Sequence, residues 1–294
     1  MIGAFYWDPN PALFTLPWLG WPILWYSVLF ALGFALGFVS FASILTRFFL
    51  LKAQAKSFEG NPRREALCIA DRLTLYMIVA TIIGARLGHF LFYEKPSDYL
   101  NHIGEIFQVW KGGLASHGAV IAVILALALF THRYQRRSYG LTWIRLMDFI
   151  SAPAALAGAL IRIGNFFNQE ILGSMTNVPW AVIFGHPADR SVPTPRHPVQ
   201  LYEAAAYFCI FSLLWRLSLQ PKTLFLQGKL SGLFLILVFG FRLFVEYWKP
   251  EQSHLMASGH PISLTMGQIL SIPAIVAGFI LFFWSRIQNS KKTR

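Results

Sequence analysis

Long apolar stretches recur along this 294-residue chain and constrain its fold more than any other feature. An α-helix needs about 20 apolar residues to cross a bilayer. By that measure, the sequence predicts seven membrane-spanning helices, near residues 18–42, 73–93, 112–131, 146–166, 199–217, 229–248 and 264–285. Charged residues make up only 13% of the chain, which is too few for an ordinary soluble domain. We therefore expect an all-α, polytopic membrane protein that forms a single integral-membrane domain over residues 1–294.

Lysine and arginine are unevenly divided among the predicted loops. Most of them follow spans one, three, five and seven, as Arg47, Arg136, Lys222 and Lys291 do. Such an excess marks the cytoplasmic side of a membrane protein. We therefore expect the N-terminus outside and the C-terminus in the cytoplasm. The orientation of the protein in the membrane also accounts for its formal net charge of +12. No RNA- or DNA-binding motif accompanies these basic residues, so no nucleic-acid partner is expected.

The longest segment outside the predicted spans runs from about residue 171 to 197. It is rich in proline and contains the apolar run Trp180-Ala181-Val182-Ile183-Phe184, whose composition is typical of a strand. We expect this segment to form a small periplasmic arm between helices four and five.

Three arginines, Arg86, Arg162 and Arg242, interrupt predicted spans two, four and six. Each lies about five to eight residues before its helix reaches the outer side, which at 1.5 Å per residue is about 7 to 12 Å below that boundary. Charged groups inside a membrane face the protein interior or a water-filled cavity, because lipid leaves them unsatisfied. The spans that run the other way bring polar side chains to the same depth: Tyr26, His117 and Glu203. The shared depth predicts a polar pocket that opens toward the outer leaflet.

The residues around Arg162 have the chemistry of a phosphate site. Arg162, Asn165 and Asn168 share one helix face. A planar guanidinium can bind two phosphate oxygens at once, and weak solvation strengthens that pairing. The alternative is a structural ion pair between Arg162 and Glu170 or Glu203.

Two further positions carry candidate chemistry. Arg242 and Glu246 stand at i and i+4 on span six, so we expect an ion pair between them, which can serve structure or function. His117 is a candidate general base, with a hydrogen-bonded core histidine as the alternative. The histidines and carboxylates show no metal-ligand spacing, so no metal site is predicted.

Several motifs occur in an order that resembles one family of bacterial membrane enzymes. They are residues 162–173 (RIGNFFNQEILG), 112–118 (GGLASHG), 196–203 (RHPVQLYE) and 241–246 (FRLFVE), together with Trp25-Tyr26 and residues 265–268 (TMGQ). In this combination the chain is similar to the prolipoprotein diacylglyceryl transferases over nearly its whole length.

The resemblance implies an enzyme of the bacterial inner membrane with its active site toward the periplasm. Its partners would be phosphatidylglycerol and a prolipoprotein signal peptide with a lipobox cysteine. The diacylglyceryl group would move to the cysteine thiol, forming a thioether and releasing glycerol 1-phosphate. No cofactor is expected.

The resemblance also suggests residue roles. His117 would accept the thiol proton, while Arg162 and Arg242 would bind the phosphate and stabilise it as it leaves. We expect phosphatidylglycerol to contact Arg162, Asn165, Arg86 and Arg242. Supporting roles are expected for Tyr26, Glu170, Gly173, Glu203 and Glu246.

Two residues depart from the family pattern, namely Lys249, where arginine is common, and Ala115, where serine is frequent. Two other functions remain open from the sequence. One is an anion transporter or channel, although the chain shows no clear inverted repeat. The other is a phospholipid hydrolase in which His117 activates water.

Overall fold

The computed structural model describes residues 4–93, 104, 115–134, 140–250 and 265–292. Helices dominate these ranges: α1 (Trp25–Gln54), α2 (Pro62–Tyr93), α3 (Ser116–Tyr134), α4 (Trp143–Phe167), α5 (Val199–Ser218), α6 (Pro221–Phe225), α7 (Lys229–Val245) and α8 (Met266–Lys292). A 3-10 turn, Glu246–Trp248, follows α7 directly. The short strands are β1 (Phe5–Trp7), β2 (Ala12–Thr15), β3 (Pro22–Leu24), β4 (Val182–Phe184) and β5 (Pro195–Arg196).

Among the described residues, six helices are long and apolar enough to cross a membrane: α1, α2, α3, α4, α7 with its 3-10 turn, and α8. The predicted fifth span, 199–217, coincides with α5. α5, which contains Gln200, Glu203 and Arg216, is not among these six, so its crossing of the membrane stays a prediction. The starts of the predicted third and seventh spans, at 112–114 and 264, lie outside the described residues.

The first helix begins later than the sequence predicted, at Trp25 instead of residue 18, and continues to Gln54. The residues before it form the β2–β3 hairpin, whose turn is closed by a 2.9 Å hydrogen bond from the Leu16 N–H to the Trp21 carbonyl. Gly20 adopts a φ of 65° in this turn, a conformation that favours glycine. Apolar composition alone did not distinguish this hairpin from a helix.

The second helix begins earlier than predicted, at Pro62 instead of residue 73. The Asn61 side chain accepts hydrogen bonds from the N–H groups of Arg63 and Arg64, at 3.1 and 3.2 Å. An asparagine cap followed by proline is a favourable helix start. The helix therefore extends beyond its apolar part into a charged first turn.

The long helices expose rows of apolar side chains. On α1 the exposed row includes Leu32, Leu36 and Val39, and on α8 it includes Val276 and Ile280. Spacings of three and four residues place each row on one helix face. Such faces are stable when lipid, instead of water, surrounds them.

The chain separates into two compact units. One unit contains Met1–Phe41 and Asp148–Arg294, and the other contains Ala42–Met147. The single domain predicted over residues 1–294 remains a prediction.

A three-stranded sheet in the first unit joins the two separate sequence segments of which this unit is made. β1 pairs in parallel with β4, and β4 pairs antiparallel with β5. Val182 and Phe184 of β4 form a buried cluster with Phe166 and Leu172, packed against Trp7. The strand expected within 180–184 is therefore confirmed for Val182–Phe184. Its pairing with the N-terminal strand was not predicted. The expected all-α fold holds for the long elements, but the structure also contains these short strands.

In the first unit, a buried carboxylate fixes the start of α7. Asp148 on α4 accepts hydrogen bonds from the Gly228 N–H at 2.6 Å and from both the N–H and the hydroxyl of Ser231 at 2.7 Å. These N–H groups would otherwise be unsatisfied at the helix end. Asp148 thus attaches α4 to the beginning of α7.

In the second unit, glycines allow α2 and α3 to cross at backbone contact. A Cβ on Gly118 would lie 2.6 Å from the Cα of Gly88 and would collide with the carbonyl oxygen of Gly84. The Ala115 N–H also donates to the Ala85 carbonyl at 2.8 Å. Small residues at such crossings are typical of membrane helix pairs.

Candidate active site

A chain of polar contacts begins at Arg162, near the end of α4. Arg162 Nη1 donates to Asn165 Oδ1 at 3.2 Å, and Asn165 Nδ2 donates to Glu170 Oε1 at 2.7 Å. Asn168 Nδ2 approaches the same carboxylate oxygen at 3.3 Å. The expected shared face of Arg162 and Asn165 is confirmed. The amide of Asn165 connects the cation to the carboxylate, so Arg162 and Glu170 are linked through it.

The main chain after α4 folds Glu170 back toward the helix. The Glu170 N–H donates to the Asn165 carbonyl at 3.0 Å, and the Gln200 side chain donates to the Glu170 carbonyl at 2.7 Å. On either side of Glu170, Gln169 and Ile171 have φ values of 51° and 56°. Non-glycine residues adopt this conformation rarely and at a cost, so surrounding contacts must hold it.

Glu203 on α5 is a buried carboxylate shared by two cations. Its Oε2 lies 3.1 Å from Arg162 Nε, and its Oε1 lies 3.2 Å from Lys249 Nζ. The Glu203 side chain is 0% exposed, and those of Arg162 and Lys249 are 17% and 8% exposed. The ion pair considered for Arg162 is therefore present with Glu203. The carboxylate thus lies at ion-pair distance from Nε, while Nη1 donates to Asn165.

The expected ion pair between Arg242 and Glu246 is not formed. α7 ends at Val245, and the 3-10 turn that follows brings Glu246 within 3.6 Å of Lys249 Nζ. The Thr265 hydroxyl also donates to Glu246 at 3.1 Å. The Glu246 N–H still reaches the Arg242 carbonyl, so the i, i+4 argument failed because the carboxylate lies toward Lys249 and Thr265 instead.

Arg242 instead lies near an unexpected tyrosine. Tyr207 on α5 interacts electrostatically with both Arg162 and Arg242, so the two arginines share one neighbour. Within the described part of the chain, the buried Arg242 Nε has no hydrogen-bond partner. A buried donor of this kind is costly unless a ligand or water satisfies it.

Tyr26, at the start of α1, lies beside the same group. Its ring packs on Gly164, where an added Cβ would come within 2.8 Å. The Tyr26 side chain also interacts electrostatically with Glu170 and Arg162. The expected supporting position of Tyr26 is consistent with these contacts.

Gly173 and the arm meet the start of α5. A Cβ on Gly173 would collide with the carbonyl oxygen of His197, and Arg196 donates to the Gly173 carbonyl at 3.1 Å. The His197 ring lies 3.2 Å from the Tyr202 hydroxyl, and burial lowers the pKa of His197. Gly173 therefore has a packing role that a larger residue would disrupt.

Arg86 and His117 belong to the second unit. Arg86 on α2 is buried, with its guanidinium 4.7 Å from the centre of the Phe90 ring. His117 is half-buried in the first turn of α3, close in sequence to the crossing at Gly118. Residues 112–114 of the GGLASHG motif lie outside the described residues.

The first unit thus brings together Arg162, Asn165, Glu170, Glu203 and Tyr26. It also includes three residues whose contacts the sequence did not reveal: Gln200, Tyr207 and Lys249. Gln200 and Lys249 could have been suspected, because they lie in or next to the motifs at 196–203 and 241–246. Tyr207 gave no signal beyond its place on α5.

A family model described as prolipoprotein diacylglyceryl transferase matches residues 11–284. The chain belongs to the prolipoprotein diacylglyceryl transferase family. A relative from Tolumonas auensis is 40% identical, with 97% of this chain and 99% of the relative covered. A relative from Chloroherpeton thalassium is also 40% identical, with 95% of this chain and 94% of the relative covered. A relative from Protochlamydia amoebophila is 34% identical, with 97% of this chain and 95% of the relative covered. All three are named phosphatidylglycerol–prolipoprotein diacylglyceryl transferase.

Replacing Glu203 with glutamine should destabilise this family member strongly. The change leaves Arg162 without its carboxylate partner and removes one of the two carboxylates near Lys249. Breaking a buried pair from one side costs about 3 to 5 kcal/mol. The free energy of unfolding, measured by denaturant titration in detergent micelles, should fall by about that amount. The matched control is Glu59→Gln, at an exposed position; equal stability of the two variants would contradict a structural role for the buried carboxylate.

Proposed function

We propose that this protein transfers the diacylglyceryl group of phosphatidylglycerol to the cysteine thiol of a prolipoprotein. The observation that carries this proposal is the family match over residues 11–284, together with relatives of that name along nearly their full length. In the reaction, the thiolate sulfur attacks the glycerol carbon that bears the phosphate. A carbon–sulfur bond forms, the carbon–oxygen bond breaks, and glycerol 1-phosphate leaves with the bonding electrons.

Arg162 and Arg242 are proposed to bind the phosphate. Arg162 is held by Glu203 and Asn165 before any ligand arrives, so little reorganisation is needed on binding. Arg242 has a buried Nε donor without a partner in the described residues, which a phosphate oxygen could satisfy. Asn165 is proposed to contact the lipid as well. A lipid contact for Arg86, which lies in the second unit, stays a prediction from the sequence.

The other groups are proposed to orient this pair. Glu203 positions Arg162, and Glu246 shares Lys249 with Glu203. Lys249 therefore preserves a cation at a position where the family commonly has arginine. Glu170 would hold the Asn165 amide, and Tyr26 would help to hold the Arg162 guanidinium. Gly173 would let the arm approach α5.

His117 is proposed to take the proton from the thiol. The thiolate is the competent nucleophile, and a neutral imidazole can accept a proton near neutral pH. The proton passes from sulfur to an imidazole nitrogen, and the phosphate leaves as an anion stabilised by the arginines.

The proposed setting is the bacterial inner membrane, with seven spans and the N-terminus outside. α5 would be the fifth span, since Gln200 and Glu203 in its first turns are buried in protein while Leu201 and Leu213 are exposed. The arm of residues 171–197 and the lipid-binding group would then lie toward the periplasm. A lipobox signal peptide and phosphatidylglycerol both reach that side.

Arg162→Ala should weaken phosphatidylglycerol binding about 10- to 100-fold, since hydrogen bonds to a charged group contribute about 1.5 to 3 kcal/mol. Binding would be measured by titrating phosphatidylglycerol into detergent-solubilised protein. Arg162→Lys should recover part of the affinity, because it restores charge without the planar fork. Arg216→Ala, at an exposed position of α5, is the control. Equal losses for Arg162→Ala and Arg216→Ala would exclude Arg162 from the lipid site.

His117→Ala should lower transfer to a lipobox peptide about 10²- to 10⁴-fold, as loss of a general base does. The product to quantify is the thioether-linked diacylglyceryl peptide, with glycerol 1-phosphate as its partner. His132→Ala changes an exposed histidine on the same helix and should retain activity. Diacylglycerol formed at the same rate without peptide would indicate a hydrolase, and anion flux without lipidated peptide would indicate a transporter.

The two ends of α5 should lie on opposite sides of the membrane. In a variant without Cys68 and Cys209, single cysteines introduced as Asp189→Cys and Lys222→Cys test this directly. A membrane-impermeant maleimide added to spheroplasts should label the first site, and the second only after permeabilisation. Labelling of both sites from the same side would contradict the seven-span topology.

A further inference from the structure

Gln169 connects three segments of the first unit through its side chain and main chain. Its Nε2 donates to Asp8 Oδ1 at 3.1 Å, and its Oε1 accepts from the His186 N–H at 2.7 Å. Its carbonyl accepts from the Ala188 N–H at 2.9 Å. Gln169 is 4% exposed, so these contacts replace water. The N-terminal strand, the arm and the end of α4 therefore meet at one amide.

The backbone at Gln169 needs such contacts. Its φ of 51° lies in the left-handed region, which is unfavourable for a residue with a side chain. Both sides of the amide are used, one as donor and one as acceptor. The contacts to Asp8 and His186 thus offset the cost of the conformation.

Asp8 is itself held in place by the sheet. It follows β1 directly, and the register of β1 on β4 pairs Trp7 with Phe184. A Cβ on Gly185 would lie 2.5 Å from the Asp8 carboxyl carbon, so the arm backbone passes against it. His186 Nδ1 lies 2.6 Å from Asp8 Oδ1, and hydrogen bonds from His186 and then Gln169 lower the pKa of Asp8.

The position of Gln169 determines that of the next residue. Glu170 carries the carboxylate that receives Asn165 Nδ2, and Asn165 receives Arg162 Nη1. A rotation at Gln169 would therefore move Glu170, and with it the amide that orients the guanidinium. Displacements of about 1 Å far from the reacting atoms can reduce rates about 100-fold.

We propose that Gln169, held by Asp8 on the N-terminal strand, is a positioning residue for the phosphate-binding group of Arg162, Asn165 and Glu170. It touches neither lipid nor thiol and acts through Glu170. The inference rests on the proposed function for the identity of the lipid.

The test first removes the donor of the hydrogen bond between Gln169 and Asp8, and then supplies a donor from the Asp8 side. Gln169→Glu places a carboxylate oxygen against Asp8, two acceptors at about the distance of a hydrogen bond. Adding Asp8→Asn restores a donor, because the introduced asparagine amide can donate to the introduced glutamate. Asp189→Asn removes a carboxylate elsewhere on the arm, where it accepts from the Ser191 N–H, and serves as the control.

Two measurements are made on each folded, detergent-solubilised variant at neutral pH: the Kd for phosphatidylglycerol, and kcat and KM for transfer to a lipobox peptide. Gln169→Glu should weaken lipid binding and lower kcat about 10- to 100-fold, with the peptide KM unchanged. In the double variant, the lipid Kd and kcat should return to within about threefold of those of Asp8→Asn alone. Independent sites would not show such a recovery, so it would demonstrate that the two positions are coupled. The control should match the wild type.

Gln169→Gly supplies a second variant if Gln169→Glu does not fold, since glycine accepts the positive φ while removing the amide. It should show the same loss of lipid affinity and kcat. Wild-type values in either folded single variant, or a double variant as impaired as Gln169→Glu, would overturn the proposal. If the wild type binds phosphatidylglycerol without transferring it, the proposed function fails while the binding series still decides the role of Gln169; a wild type that binds none overturns both.

Discussion

The buried carboxylate of Glu203 is the interaction on which the first unit's polar group depends. It lies between Arg162 and Lys249, two cations from different segments, in a part of the chain where water is scarce. Either cation alone would be costly to bury, and the carboxylate offsets both. With Nε engaged by Glu203 and Nη1 by Asn165, the guanidinium has a defined orientation before substrate arrives. A preorganised cation of this kind suits a phosphate leaving group better than a mobile one.

The sheet gives this membrane enzyme a rigid frame outside its helices. Trp7 on β1 stacks on Phe166 with ring centres 4.6 Å apart, and its indole N–H donates to the Phe166 carbonyl at 3.0 Å. The N-terminal strand is thereby fixed to the last turn of α4, one residue from Asn165. Residues distant in sequence thus support the polar group that contains Arg162 and Asn165.

The helices could be predicted from sequence where apolar length and a clear boundary coincide. The predicted span 199–217 agrees with Val199–Ser218, because Pro198 and a polar end mark its limits. The hairpin before α1 was missed, because its strands are as apolar as the helix that follows. The pairing of β1 with β4 links residues far apart in the chain, and a single sequence gives no signal for such contacts.

Some contacts of the candidate site could likewise be predicted from the sequence, and others could not. Helical spacing predicted the contact of Arg162 with Asn165, and the pairing with Glu203 was one of two alternatives. The same spacing failed for Arg242 and Glu246: α7 ends at Val245, and although the Glu246 N–H still reaches the Arg242 carbonyl, the Glu246 carboxylate lies toward Lys249 and Thr265. Lys249 lies beyond that end, and its contact with Glu203 depends on how α5 packs, which local patterns do not contain.

The glycine crossing of α2 and α3 has a consequence for the residues it carries. Where main chain meets main chain, there are no side-chain rotamers whose rearrangement could let the helices slide. Arg86 and His117 therefore lie on two helices whose backbones are in direct contact. Any displacement of this helix pair as a body therefore moves the backbones of Arg86 and His117 together and leaves the spacing between those two backbones unchanged.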